Sequence, residues 1–323
     1  MLEKRRLGKT RLFVSEIGLG GWELGGLTTI NGIPLTYGDV DSKVASNIIK
    51  TALRLGVNTF DTADSYSLGN SERRLGVALK EKRSSVNLFT KAGVVPSFIE
   101  PLPTETDLSY YHLMASLDRS LKRLNTDHVE LFQAHKPPKS ENDFKSIEKA
   151  FNRIKKEGKA QYCGVSVGLE YQTGIELIKR GFVDTIQLYF SLLEFKPLEE
   201  LLPLAKRNGV GIIVAEPLSQ GFLSGNYKLN HSFPKTDIRS ISYSQDQIKK
   251  KIERSRQFQF LLNEKRTMNQ VAIAYVLSQK EVSTCIPGSK SAEHVISNVN
   301  ASKTRLTSDE LKAIEEIQQK QKD

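Results

Sequence analysis

An acid, a phenol, an ammonium and an imidazole stand at, or just past, the ends of three apolar runs: Asp61 and Tyr66 in FDTADSY, Lys91 in LFTK and His135 in ELFQAH. Reducing a carbonyl requires a hydride from one side and a proton for the developing alkoxide. A phenol, with an ordinary pKa of about 10, donates that proton well once its anion is stabilised. Lys91 beside Tyr66 would supply the stabilisation, Asp61 would keep a buried ammonium charged and aimed, and His135 would bond the substrate oxygen and polarise it. Each residue alone has a plainer use: Asp61 and Lys91 as an ion pair, Tyr66 as packing at a strand end, His135 as a satisfied core histidine. The chemistry depends on whether the fold brings all four together.

The surrounding pattern says how it could. Short β-rich runs alternate with helical stretches along the chain: SEIGLGG, VNTFDT, VNLFTK, VELFQAH, AQYCGVSV, DTIQLYF, GVGIIVAE and STCIPG. Between them lie residues at helical spacing, such as Val44, Ile48, Ala52 and Leu55, then Leu113, Leu117, Leu121 and Leu124, then Val271, Ala274 and Tyr275. The runs are apolar on nearly every residue, as strands covered on both faces are. Eight such units predict an α/β fold, a closed parallel (β/α)8 TIM barrel. No Pro/Gly/Ser-rich linker interrupts the alternation, so one domain is expected over residues 1–323. Strand C-termini share one mouth in such a barrel, which puts Asp61, Lys91 and His135 within mutual reach, with Tyr66 on the loop after Asp61.

Ahead of the first run, RRLGKTRLFVS predicts a hairpin about Gly8-Lys9 that plugs the N-terminal face. Thr307 and Glu310 form a capping-box pattern before an extra C-terminal helix, and the last residues, QQKQKD, are expected to fray. Two connections exceed a turn: GVVPSFIEPLPTET, and PLSQGFLSGNYKLNHSFPKTDIRSISYSQDQ. Both follow strand C-termini, where barrel active sites lie.

Several function classes are disfavoured. No stretch approaches the roughly 18 apolar residues of a membrane helix, and MLEKRRLGKTRLF lacks a signal-peptide core, so no membrane partner and a cytoplasmic location are expected. Cys163 and Cys285 lie far apart inside apolar segments and predict reduced core thiols. The formal charge of +10 is spread over surface helices without a nucleic-acid reading module; it suits an anionic cofactor better than nucleic acid. LGKT has Glu3 where a P-loop needs its first glycine, and Gly18-Leu19-Gly20 has Glu23 where a Rossmann fingerprint needs its third. The five histidines show no paired ligand spacing, so no metal site is expected.

DTADSY followed by GNSE, then FTK, then H-x-P, in that order and spacing, resembles the aldo-keto reductase family. The resemblance runs from RRLGKTRLFVSEIGLGGW to IPGSKSAEHVISNVNA, nearly the whole chain. It implies a barrel that binds NADPH at its mouth without a Rossmann domain, with NADH as the lesser alternative, and a catalytic tetrad of Asp61, Tyr66, Lys91 and His135. It further implies that Gly21, Trp22 and Asp61 border the nicotinamide, that Ser166 and Gln187 bond its carboxamide, and that Pro217, Leu218, Gln220, Gly221, Leu223 and Gly225 wrap the phosphates. Gly288, Ser289, Lys290, His294 and Asn298 match the segment around the adenosine 2′-phosphate and adenine, where Lys290 gives a cation and Ser289 a hydroxyl.

The chain departs from the family pattern at four places: Val167 stands for an Asn that adds a carboxamide contact, Ala215 for a Tyr that stacks on nicotinamide, His294 for an Arg and Ser297 for a Glu. Trp22 or Phe190 could cover the ring instead. Phe98, Trp22 and Tyr227 are candidates to line a substrate pocket. The expected activity is reduction of a small-molecule aldehyde or ketone, by a broad-range reductase or by a sugar ketoreductase of a biosynthetic pathway. The alternative from another class is a redox-sensing, nucleotide-binding regulatory subunit like the family's potassium-channel β-subunits. The oligomeric state is not legible in the sequence.

Overall fold

A computed structural model describes residues 2–97, 104–264 and 266–321. Eight parallel strands form one sheet in chain order: β1 Leu19–Gly20, β2 Thr59–Asp61, β3 Asn87–Ala92, β4 Val129–Ala134, β5 Ala160–Gly168, β6 Thr185–Tyr189, β7 Gly211–Ala215 and β8 Val282–Cys285. Parallel bridges Ile17↔Cys285 and Gly20↔Gly288 join the first strand to the last. The predicted (β/α)8 barrel is the observed fold, and each predicted run contributes its strand.

Helices α1 Ser42–Arg54, α2 Asn70–Leu79, α3 Tyr110–Leu124, α4 Glu141–Lys156, α5 Tyr171–Arg180 and α6 Leu201–Asn208 follow the first six strands. After β7 come α7 Gln245–Arg256 and α8 Met268–Ser278, and after β8 come α9 Ala292–Asn300 and α10 Ser308–Lys320. In α3 the leucine stripe at 113, 117, 121 and 124 is buried as expected. In α1 the stripe is shifted: Ala45, Ile48, Ile49 and Ala52 face the core, whereas Val44 is 37% exposed. Ala45 and Val44 lie three and four residues before Ile48, and either satisfies the helical period; the barrel contact selects the smaller side chain.

The N-terminal hairpin pairs Lys4↔Ser15, Arg5↔Val14 and Arg6↔Phe13. Its turn docks by a Lys9 N–H bond to the Gly209 carbonyl at 2.6 Å. Gly8 has φ +55, and a Cβ there would lie 2.3 Å from Gly211 N, so only glycine fits. Leu7, Leu12 and Val14 pack with Phe89, Leu131, Ile213 and Ile286 inside the barrel, which makes the hairpin the expected plug.

At the other end, Thr307 Oγ1 accepts from the Glu310 N–H at 3.2 Å while Glu310 Oε2 accepts from the Thr307 N–H at 2.9 Å. Of the residues expected to fray, 318–320 are helical, and 322 and 323 lie outside the described residues. Helix α10 runs to Lys320, and Gln318 is buried, donating to Leu192 O at 3.1 Å and sharing a bond with Tyr275 Oη. The connection after β3 is itself a hairpin, Val94–Pro96 against Thr104–Thr106. Phe98 lies outside the described residues. Both cysteines are free and buried, and burial raises their thiols, that of Cys285 to about 12. No described helix is long and apolar enough to cross a membrane.

Candidate active site

Strand register assembles the site. Asp61 ends β2, and Lys91 of β3 lies opposite Gln133 of β4. The Lys91 ammonium donates to Asp61 Oδ1 and, at 3.0 Å, to the Thr62 carbonyl. Asp61 Oδ2 accepts from Gln133 Nε2 at 3.2 Å and from Gln187 Nε2 at 2.9 Å. Lys91 and Asp61 are 0% and 1% exposed, so their charges survive only because each is paired and hydrogen-bonded. Burial still holds Lys91 below the ordinary lysine value, with Asp61 pulling it back up.

Tyr66 follows β2 on a loop that its own sequence tightens. Ser67, Leu68 and Gly69 are all left-handed, at φ 48, 53 and 81, and feed directly into α2. The loop is tied to the segment after β1: Ser67 Oγ donates to Gly26 O at 2.7 Å, Asn70 Nδ2 to Gly25 O at 2.5 Å and Ser71 Oγ to Gly21 O at 2.7 Å. Glu72 accepts from Thr90 Oγ1 at 2.6 Å and from Arg123 Nε at 2.5 Å. The GNSE residues are therefore anchors that fix where Tyr66 stands.

That position is beside Lys91 and His135. The Lys91 ammonium lies 4.9 Å from the Tyr66 ring centroid, and the Tyr66 and His135 rings are edge-on at 5.4 Å. Trp22 closes the other side of Tyr66 at 5.0 Å, and Tyr37 lies 6.1 Å from Trp22. Burial pushes the Tyr66 phenol well above its ordinary value, and the Asp61 charge adds to this. The imidazole of His135 is pushed well below its ordinary value, first by burial and then by the charges of Lys91 and Lys136. Its Nδ1 lies 3.2 Å from Ser65 Oγ. The four sequence candidates thus form one rim, with a protonated phenol and a neutral imidazole at neutral pH.

Residues 16–319 match the model of the Aldo/keto reductase family. The chain belongs to that family. It is 33% identical to the "Putative voltage-gated potassium channel subunit beta" of Schizosaccharomyces pombe, over 97% of this chain and 92% of the relative. It is 29% identical to the NADH-specific methylglyoxal reductase of Escherichia coli, over 95% of each. The holo form of the aldo-keto reductase AKR11C1 from Bacillus halodurans superposes with a TM-score of 0.80 at 29% identity, covering 98% of this chain and 96% of that one.

The other positions that the resemblance picks out have these surroundings. Gly21 donates its N–H to Asp61 O at 2.8 Å. Ser166 and Gln187 are neighbours in register on β5 and β6, and Ser166 Oγ donates to Gln187 Oε1 at 3.3 Å. Beyond Ala215, Pro217 and Leu218 enter a turn in which Gln220 has φ 56 and Gly221 φ 88. Its amides bond within the chain: Gln220 N–H to Glu216 Oε2 at 2.9 Å, Gly221 N–H and Leu223 N–H each to Leu218 O at 3.0 Å. Gly225, at φ 80, packs on Met268. Asn298 Nδ2 donates to Ser289 Oγ at 3.3 Å, Lys290 Nζ donates to Tyr37 O, and the exposed His294 accepts from the Lys290 N–H through Nδ1 at 3.4 Å.

Phe190 is fully buried and stacks on Tyr275 at 5.6 Å, and Trp22 is the aromatic beside Tyr66. Tyr227 packs with Phe222, His231 and Phe233 and bonds Arg239, inside the long loop after β7. Sequence reasoning missed Gln133, which braces Asp61, and Ser65, which meets His135. The only trace of Gln133 in the sequence is a polar residue inside an apolar run, two positions before His135, which assigns it no role by itself. Among the described residues no group of His, Cys, Asp and Glu could hold a metal ion.

Proposed function

We propose that this aldo-keto reductase reduces an aldehyde or ketone to the alcohol with NADPH, Tyr66 donating the proton. The convergence of Tyr66, Lys91, Asp61 and His135 on one rim carries this reading. The residues around it suit a nicotinamide dinucleotide. Ser166 and Gln187 offer a hydroxyl and an amide side by side, the indole Nε1 of Trp22 is buried without a partner among the described residues, and Lys290 adds a cation before α9.

When bound, the reduced cofactor supplies the hydride. Tyr66 keeps its proton until the carbonyl oxygen gains charge, and then hands it over. Lys91, over the ring, lowers the cost of the phenolate left behind. Asp61 keeps Lys91 charged, and Gln133 and Gln187 hold Asp61 by its second oxygen. In the tautomer whose Nδ1 accepts from Ser65, His135 carries its proton on Nε2 and can donate to the carbonyl oxygen while neutral. The preference for NADPH rests on Lys290 and Ser289 as partners for a 2′-phosphate. We place this chemistry in the cytoplasm, on a small-molecule carbonyl, either across a broad range of aldehydes or on a keto-sugar.

The name of the fission-yeast relative favours a second reading, a redox-sensing regulatory subunit that keeps barrel and nucleotide. Oxidation of NADPH and of NADH, followed at 340 nm across aldehydes, keto-sugars and steroids, separates the two. Multiple turnovers on any carbonyl support the enzyme; tight cofactor binding without turnover on the whole panel supports the regulatory subunit.

A further inference from the structure

Glu23 directly follows Gly21 and Trp22 and begins a single 3-10 turn, Glu23–Gly25. Its side chain is only 8% exposed and lies against the bare Cα of Gly288, where a Cβ would stand 2.3 Å from both carboxyl oxygens. Oε2 has no hydrogen-bond partner among the described residues. A buried carboxylate oxygen without a donor is costly, so the group must either become neutral or meet a ligand.

The groups around it come from every segment packed on this corner. Lys290 is beside Gly288, Glu216 and Arg239 belong to the long loop after β7, Tyr37 comes from the loop before α1, and Tyr66 lies on the catalytic side. The cations are engaged elsewhere: Arg239 bonds both oxygens of Asp237, at 2.9 and 2.6 Å, and Lys290 Nζ donates to Tyr37 O. Glu216 is held by the Tyr37 hydroxyl at 3.1 Å and the Gln220 N–H at 2.9 Å. Burial raises the Glu23 carboxyl to about 7; its own backbone N–H opposes this and the Glu216 charge adds to it.

We propose that Glu23 is a cofactor-recognition residue: its partnerless oxygen, carrying a proton, donates to the phosphate–ribose backbone of a nicotinamide dinucleotide lying along Gly288. Glu23 takes this role only if the dinucleotide lies beside Gly288, so it rests on the function proposed above. Binding then takes up a proton, because an anion beside Glu23 raises its proton affinity further. Affinity is full below about pH 7 and falls as pH rises above it.

The test is cofactor binding to the full chain between pH 6 and 8.5, read from the fluorescence of Trp22, the chain's single tryptophan. For NADH, Kd should rise about tenfold from pH 6 to pH 8, and Glu23→Gln should flatten that slope. Calorimetry on the unmutated protein at pH 8, in buffers of different ionisation heat, should register close to one proton taken up. NADPH is run in parallel, and the Glu23→Gln curve subtracts the titration of its own 2′-phosphate near pH ~6. An unchanged slope in Glu23→Gln, no proton uptake, or affinity rising with pH would each overturn the role; the last would make Glu23 a carboxylate accepting from ribose hydroxyls. If neither cofactor binds the unmutated protein, the dinucleotide reading itself fails, a result distinct from binding without a pH slope.

Discussion

Tyr66 can serve as an acid only while it holds its proton, and burial secures that well past neutral pH. Tyr66→Phe deletes the hydroxyl but keeps the ring that packs on Trp22 and His135. Turnover should fall by about 100- to 10,000-fold with cofactor Kd unchanged, and a Phe variant working at the original rate would remove Tyr66 from the acid's role. Two residues earlier, Asp64 has a buried Oδ1 without a partner among the described residues, and its carboxyl is raised to about 7 by burial and then by the Glu72 charge, with Arg123 opposing. The folded chain therefore holds a proton that the unfolded chain releases near pH ~4. Stability falls as pH climbs through that window and levels off above about 7. Asp64→Asn should erase this loss, on the order of 1–3 kcal/mol, in urea denaturation compared at pH 5 and pH 8. The catalytic four were legible because their types and order carry the reaction. Gln133 was not, since a lone glutamine in a strand means nothing until register sets it opposite Lys91 and beside Asp61.

Helix α2 shows how an element positions a residue it does not contain. Its first turn carries Asn70, Ser71 and Glu72, which tie the Tyr66 loop to the segment after β1 and to β3, and its middle must approach α3 closely. Gly76 makes that approach possible: a Cβ there would lie 2.6 Å from Leu124 O and 2.8 Å from Arg123 O. Helix propensity alone favours Gly76→Ala by about 1 kcal/mol. The obstacle is backbone, which cannot swing aside as a long side chain can, so the clash should win by a net 1–3 kcal/mol or so. Urea denaturation should show Gly76→Ala less stable, with turnover lowered as α2 and the anchored loop shift; an unchanged or raised midpoint would mean α3 yields without cost. The alternation that predicts eight strands is visible because each strand is buried on both faces. Which side of α1 is buried was not, because Val44 and Ala45 fit one period equally and only the neighbouring barrel distinguishes them.

The two ends of the barrel divide the work of the whole molecule. Strand C-termini carry the rim of Tyr66 and its partners, whereas the N-terminal end is stopped by the hairpin whose Leu7, Leu12 and Val14 enter the interior. Leu7 is fully buried, and its side chain rests on the backbone of Gly211, where a Cβ would meet it at 2.7 Å. The hairpin was legible from its turn residues, but this glycine seat was not, because the two positions are some two hundred residues apart in the chain. Barrel enzymes place chemistry at one face and stability at the other, so damage to the plug should leave the rim's geometry intact. Leu7→Ala removes buried methyls from a site walled by Phe89, Leu131 and Ile213, whose strands cannot collapse inward without breaking their ladders. The cost should be about 2–5 kcal/mol in chemical denaturation. Well below its lowered melting temperature, Leu7→Ala should keep kcat/KM within about twofold of the original chain, because no Leu7 contact reaches Tyr66, Lys91 or His135. Equal losses of stability and turnover would show instead that the plug and the rim move as one body, with strain carried along β3 and β7 from Phe89 to Lys91 and from Ile213 to the turn at Gln220.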